Sequence, residues 1–407
     1  MTRPRLEVAD VFRAHADEYL TTYGGTTAQR RVLRAVENCR TAALGGHVAA
    51  CDQCGHRQIA YNSCRNRHCP KCQGSACARW MQARAEELLP VPYFHLVFTL
   101  PAALAPLALQ NRELLYGLLF QAASRTLLEI AADPQHLGAK IGFLLVLHTW
   151  GQNLLHHPHV HGVVPAGGIS PDGTQWVRGS PKFFLPVRVL SRVFRGKFIA
   201  GLKRAFAAGK LQFHGALAEL AQPLHFEQLL DQAARHDWVV YAKRPFGGPR
   251  QVLKYLARYT HRVAISNRRL ESFQQRQVAF RWKDYAHGSR SRTMTLSAVE
   301  FIRRFLLHVL PKGFMKIRHY GFLANRQRTE NLAACRRLLG LLDVAAANLP
   351  IISAATLSPQ AEARATRCPH CEEGRLHIVE TLLPQCAPRC GSSPNAAQAK
   401  PAHLDTS

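Results

Sequence analysis

The sequence predicts an α+β fold in which helices pack on an antiparallel sheet, and three observations carry that expectation. The apolar run KIGFLLVLHTW (140–150) is followed at once by a His-rich segment whose β-branched Val160, Val163 and Val164 end at the turn residues Pro165, Gly167 and Gly168. Further β-rich runs stand at PYFHLVFTLP (92–101), DWVVYAKRPF (237–246), RVAISNRRLESF (262–273) and QVAFRWKDY (277–285). Strands that neighbour one another in sequence, with helices at 102–134 and a basic helical stretch before residue 237, argue against a doubly wound parallel sheet. The 407 residues, 47% of them hydrophobic, suffice for two or three domains.

Taken in order, residues 1–36 form an amphipathic helical segment with Val8, Val11, Phe12 and Tyr19 on one side. A Cys-rich module covers 37–82, and a helix carrying Trp80, Leu88 and Leu89 leads into the main domain, 90–330. A helix and an Ala- and Pro-rich linker occupy 331–365, and 366–407 reads as a small zinc ribbon with a disordered tail. In that tail Cys368 and Cys371 would pair with Cys386 and Cys390. No apolar run reaches the roughly twenty residues that a membrane span needs. The start MTRPRLEVADVFRAH lacks the apolar stretch of a signal peptide, so reduced thiols in a cytoplasmic protein are expected.

Cys51-x-x-Cys54 and Cys69-x-x-Cys72 form two knuckles separated by fourteen residues, the spacing of a four-thiolate zinc site, with Gly55 and Pro70 at the turns. Cys39, His47, Cys64 and His68 could build a second zinc site, or remain buried side chains.

Lys and Arg number 53 against 26 Asp and Glu, a formal charge of +27, which points to a nucleic-acid partner. From 134 to 218 Asp172 is the only acid among Lys140, Arg178, Lys182, Arg188, Arg192, Arg195, Lys197, Lys203, Arg204 and Lys210. Such a one-sided stretch reads as a DNA track, and Phe183, Phe184, Phe194 and Phe198 are either core or stacking platforms for unpaired bases.

His159 and His161 flank Val160, so alternation in a strand sends both imidazoles to one face, within reach of one metal ion. In a chain with 21 His they could equally be two ordinary histidines. Tyr255 and Tyr259 are one turn apart on one face of a helix, among Lys254, Arg258, Arg262, Arg268 and Arg269. Two phenols among cations are packing residues or covalent nucleophiles whose attack on a phosphodiester the charge assists.

HPHVH with its GG turn, YLARYTHRVAISNRR, and LSAVEFIRRFLLHVLPKGFMKIRHYGFLANR (296–326) occur in that order. Together they resemble the rolling-circle transposases of the HUH two-tyrosine class, the insertion sequence 91 family, from about residue 37 to 340. The resemblance implies a relaxase-like nuclease domain that nicks and rejoins single-stranded DNA at transposon ends and target. It implies nucleophiles at Tyr255 and Tyr259, attack leaving a 5′-phosphotyrosine, and a Mg²⁺ or Mn²⁺ ion on His159 and His161. By analogy with related nucleases Gln152 is the third ligand, with His148 its rival, and His157 shapes the turn with Pro158. The zinc would be structural, the cations around the tyrosines would bind DNA, and the protein would work at the nucleoid. Two alternatives stand beside it. A replication initiator or relaxase usually adds helicase motifs, which this chain lacks, and a non-enzymatic zinc-finger DNA-binding protein would not require HPHVH or YxxxY.

Overall fold

The computed structural model describes residues 6–85, 87–180, 184–243, 251, 264–284, 288, 290–341 and 367–385. Tyr255, Tyr259, Lys254, Arg258, Arg262, Phe183, Cys386 and Cys390 lie outside them. The chain divides into two compact units, Met1–Cys39 with Cys64–Glu362, and Arg40–Ser63 with Ala363–Ser407.

In the larger unit α1 (Val8–Tyr23) and α2 (Thr27–Glu37) are parted by Gly24, whose φ of 72° suits glycine. Thr26 caps α2 reciprocally with Gln29. β1 (Gly46–Cys51) and β2 (Arg57–Tyr61) belong to the smaller unit. There follow α3 (Gln73–Ala85), β3 (Tyr93–Thr99), α4 (Ala105–Gln110), α5 (Arg112–Ala132), β4 (Gly142–Trp150) and β5 (His156–Pro165). The small hairpin β6 (Gly167–Ile169) and β7 (Trp176–Arg178) precedes α6 (Val187–Ala207), α7 (Pro223–Ala234) and β8 (Val240–Lys243). Last come β9 (Leu270–Gln274), β10 (Gln277–Asp284), β11 (Arg290–Ser297), α8 (Ala298–Leu306), β12 (Ile317–Gly321) and α9 (Arg328–Leu338), with β13 (Leu376–Leu382) in the smaller unit.

The main sheet is antiparallel, in the order β12-β4-β5-β3-β8. One face buries Leu96, Phe98, Leu145, Leu147 and Val160 against Leu119 and Phe120 of α5 and Phe194 and Phe198 of α6. Period-two alternation sends Leu144, Val146 and Val163 to the opposite face. The fold class is thus α+β, as the pattern predicts.

The strands expected at 262–273 and 277–285 do not join this sheet. β9, β10 and β11 form a sheet of their own, order β11-β10-β9, because Val278 and Phe280 face a second core built with α1, α2 and α8. The edge beside β4 is taken instead by β12, whose IRHYG pattern carries little apolar signal. Gly321 closes that strand with φ 60°, where a Cβ would stand 1.8 Å from the carbonyl of Ile141.

In the smaller unit β1 is central, with β2 on one edge and β13 on the other. The segment 367–385 is therefore part of one sheet with residues 46–61, not an appendage, and the stretch 37–82 is shared between the two units. The physical reason is that β1 has two rows of backbone donors and acceptors and β2 satisfies one of them.

Phe12 of α1 meets Phe305 of α8 edge to face, ring centroids 5.2 Å apart, with both side chains fully buried. Phe12→Ala should lower unfolding stability by about 3–5 kcal/mol in urea titration, and a loss under 1 kcal/mol would mean that this core is not cooperative with the rest.

Candidate metal centre

The β4–β5 hairpin builds the centre. Its register sets His148 opposite His159 and Val146 opposite His161, so alternation places His148, His159 and His161 on one face. Their ligand nitrogens all lie within 4.8 Å of one another. His159 Nδ1 is 2.7 Å from the carbonyl of His157, which only accepts, so Nδ1 carries the proton and Nε2 is a bare lone pair. That Nε2 is 3.1 Å from His161 Nε2, and His161 Nδ1 is 2.8 Å from His95 Nε2. With its proton on Nδ1, donated to His95, His161 also presents a bare Nε2 to the cluster. His148 stacks on Trp150 at 4.5 Å, which orients its ring.

Burial favours the neutral imidazoles. It holds His159 down to about 3 and His161 well below its ordinary value, the latter with help from His148. Nitrogens 3.1 Å apart fit cis ligands of an octahedral ion, which at about 2.1 Å each would stand about 3.0 Å apart. The all-imidazole donor set suits a transition ion better than Mg²⁺.

Three successive carbonyls of the β4–β5 turn are held by donors distant in sequence. Arg269 Nη2 donates to Gln152 O at 2.6 Å, Arg304 Nη1 to Asn153 O at 3.1 Å, and His308 Nε2 to Leu154 O at 2.9 Å. Thr149 Oγ1 donates to the other nitrogen of His308, which burial keeps neutral, down to about 3. Leu154 itself has φ 63° and a side chain fully buried in the second core. Glu300 accepts from Arg304 Nε at 2.6 Å and so aims the guanidinium at the turn.

Two cysteine clusters also converge among the described residues. Cys39, Cys64, Cys69 and Cys72 converge in the larger unit, with Sγ separations of 3.5 Å (Cys39–Cys72) and 3.6 Å (Cys64–Cys72). Hydrogen bonds from Cys64 and Cys69 hold the Cys39 thiol far below its ordinary value. Cys51, Cys54, Cys368 and Cys371 converge in the smaller unit. Tetrahedral ligands at the usual Zn–S distance of about 2.3 Å stand about 3.8 Å apart, so the donors fit zinc; disulfides would need about 2.05 Å.

Residues 142–331 match a family described as putative transposase, and residues 11–100 match the transposase zinc-binding domain of insertion sequence 91 elements. The chain is 56% identical over 390 residues to a putative transposase of Sinorhizobium fredii, covering 93% of this chain and 96% of that one. It is 31% identical over 295 residues, 71% of this chain and 68% of the relative, to the transposase for insertion sequence element IS801 of Pseudomonas savastanoi pv. phaseolicola. The chain belongs to the insertion sequence 91 family of transposases. No solved structure matches it significantly.

The transposase is therefore an enzyme acting on DNA, with a zinc-binding domain. Several expected sites need correction. The knuckles Cys51–Cys54 and Cys69–Cys72 do not share a site, because each takes its partners from elsewhere: Cys368 and Cys371 for the first, Cys39 and Cys64 for the second. His68 joins neither cluster; its Nδ1 donates to Asn66 Oδ1 and its Nε2 accepts from Leu310 N. His47 lies on β1 opposite Ala60 and Thr381, outside both groups. Cys368 and Cys371 face Cys51 and Cys54 rather than awaiting Cys386 and Cys390.

His148 occupies the third place at the histidine centre. Gln152 lies four residues further on, in the turn, where its carbonyl receives Arg269. Arg269 is engaged with that carbonyl, with Arg281 O and with the ring of Phe280, while Arg268 is exposed in the turn that precedes β9. On α6 the basic track is partly neutralised, since Lys197 meets Glu129, Lys203 meets Glu227 and Arg195 meets Asp237, although Arg188, Arg192 and Arg204 stay exposed. Phe184, Phe194 and Phe198 are core.

Sequence reasoning missed His95, whose only signal was its place in PYFHLVFTLP, and the clamp formed by Arg304 and His308 inside the third motif block. Removal of the acceptor at His95 tests the first: His95→Ala should weaken Mn²⁺ binding about 10-fold or more, while His95→Gln, which still accepts from His161, keeps most of it. Equal losses in both variants by electron paramagnetic titration would refute tautomer control. Burial also makes the metal-free protein sensitive to acid. His68, His95, His156, His159 and His308 are held down to about 3–4, so between their folded values and the unfolded value near 6.5 only the unfolded chain takes up these protons. Stability is fully present above about pH 6.5 and is lost as pH falls toward 4, so the urea midpoint should drop steeply over that window, and a flat profile would contradict the neutral-imidazole assignment.

Proposed function

We propose that this transposase cuts and rejoins single-stranded DNA at the ends of its element through a 5′-phosphotyrosine, driving rolling-circle transposition. The observation that carries the reading is the cluster of three imidazoles, two with Nε2 atoms 3.1 Å apart, on one face of an antiparallel sheet. His148, His159 and His161 would hold Mn²⁺ or Mg²⁺, which when bound supplies Lewis-acid polarisation of a phosphate oxygen.

The phenol oxygen of Tyr255 or Tyr259 attacks the scissile phosphorus, the phosphate becomes an ester of tyrosine, and the 3′-oxygen leaves as a hydroxyl after taking up a proton. One phosphodiester replaces another, so the bond energy needed for rejoining is retained. The second tyrosine, four residues away in sequence, permits a second cleavage while the first strand stays attached. Lys254, Arg258, Arg262 and Arg268 hold the phosphates near the phenols, and exposed cations such as Arg188, Arg192 and Arg204 supply affinity that falls with salt. A purely DNA-binding zinc protein would need no such convergence of histidines. This reading places the work on DNA in the cytoplasm, at the nucleoid.

His159→Ala or His161→Ala should abolish nicking of an end-sequence oligonucleotide while changing single-strand affinity less than about threefold, because backbone charge supplies most binding. Tyr255→Phe and Tyr259→Phe should each lose strand transfer between two oligonucleotides, and the double variant should form no covalent adduct. An adduct mapped to Tyr241 or Tyr320 would overturn the tyrosine assignment, and normal nicking by a histidine variant the metal assignment.

A further inference from the structure

We propose that Cys51, Cys54, Cys368 and Cys371 hold a second zinc ion, which joins the C-terminal segment to the N-terminal hairpin and makes the smaller unit dependent on the chain having been made through residue 371. The matched zinc-binding region ends at residue 100, so it contains all four cysteines of the Cys39 cluster but only half of this one.

The geometry is that of two facing knuckles. Cys51 Sγ lies 3.7 Å from Cys371 Sγ, and Cys54 Sγ 3.7 Å from Cys368 Sγ, close to the edge of a zinc–thiolate tetrahedron and far from a disulfide. Backbone N–H groups point at the sulfurs: Gln53 N to Cys51 Sγ at 3.4 Å, His370 N to Cys368 Sγ at 3.4 Å, and Gly374 N to Cys371 Sγ at 3.3 Å. Donors aimed at sulfur favour thiolate, the form that binds metal.

Each knuckle turns through a left-handed residue just after its second cysteine, Gly55 at φ 69° and Glu372 at φ 59°. Gly374 lies against the centre, since a Cβ there would stand 2.3 Å from Cys51 Sγ and 2.8 Å from Asp52 Oδ1. The same strand pair is completed by the β1–β13 ladder and by Arg375 N donating to Asp52 Oδ1 at 2.7 Å. Two sheet edges and four thiols therefore come together from segments more than 300 residues apart. Until residue 371 has been made, Cys51 and Cys54 have two ligands of a four-ligand site, so shortened copies of the protein cannot form it. This assignment does not depend on the tyrosine mechanism.

The test is zinc per chain by elemental analysis on the full-length, reduced protein. Wild type should hold two, Cys368→Ser with Cys371→Ser one, Cys51→Ser with Cys54→Ser one, and Cys386→Ser with Cys390→Ser two. The zinc kept by the first double variant reports that the rest of the chain is folded. As a second measurement, cobalt substitution should give thiolate charge-transfer absorption in wild type that falls by about half in the Cys368/Cys371 variant. Two zinc ions retained in that variant, a single zinc in wild type that survives in it, or loss of zinc from the Cys386/Cys390 variant would each overturn the proposal.

Discussion

The turn between β4 and β5 is the constraint on which the centre depends. A slip of one residue in this hairpin would send His159 and His161 to the opposite, apolar face, so the pairing of His148 with His159 must be held firmly. It is held by Arg269, Arg304 and His308 on three consecutive carbonyls. Each of these carbonyls, left buried without a partner, would cost about 1–3 kcal/mol. Leu154 is held in the left-handed region at about 1–2 kcal/mol, and full burial of its side chain returns about 1.5–3 kcal/mol. The strain is therefore sustained by the second core, and α8 with the loop behind it acts as the wall against which the hairpin is set.

The same logic explains why imidazoles cluster where charge is excluded. An ordinary histidine at the surface would be partly protonated at neutral pH, and a protonated ring has no lone pair to give. Here burial removes the proton, the His157 carbonyl decides which nitrogen of His159 keeps its hydrogen, and His95 can do the same for His161. Tyr116 and Ala105 satisfy His156 in a similar way, but on the apolar side, so that histidine braces the fold instead of joining the centre.

What could be read from the sequence was local. The two-residue period of HPHVH is visible within five residues, and so is the apolar alternation of β3, β4 and β5. His148 as a third donor depends on strand register across the turn, and its choice over Gln152 needed the pairing itself. The thiolate groups misled for the same reason. A CxxC knuckle is a local shape, but which knuckle faces which is decided by β1 pairing with β13, a contact that no spacing encodes. The basic stretch from 134 to 218 looked unopposed because Glu129, Glu227 and Asp237 lie outside it in sequence and beside it in space.

The Cys39 cluster is also tied to the sheet that carries the histidines. Cys39 and Cys69 are buried in the core that anchors Leu154. Just before the second knuckle Arg67 donates to the carbonyls of Pro311 and Phe314, and His68 accepts from Leu310 N, fixing the loop that leads from α8 into β12. That loop begins at His308, which holds the β4–β5 hairpin, and ends in the strand paired with β4. Structural zinc in thiolate sites contributes about 10–16 kcal/mol of binding energy, as much as the whole stability of an ordinary domain. A protein that must bend a hairpin into a strained turn and then hold its register can draw on that energy, because the knuckle, the loop and the hairpin form one chain of contacts.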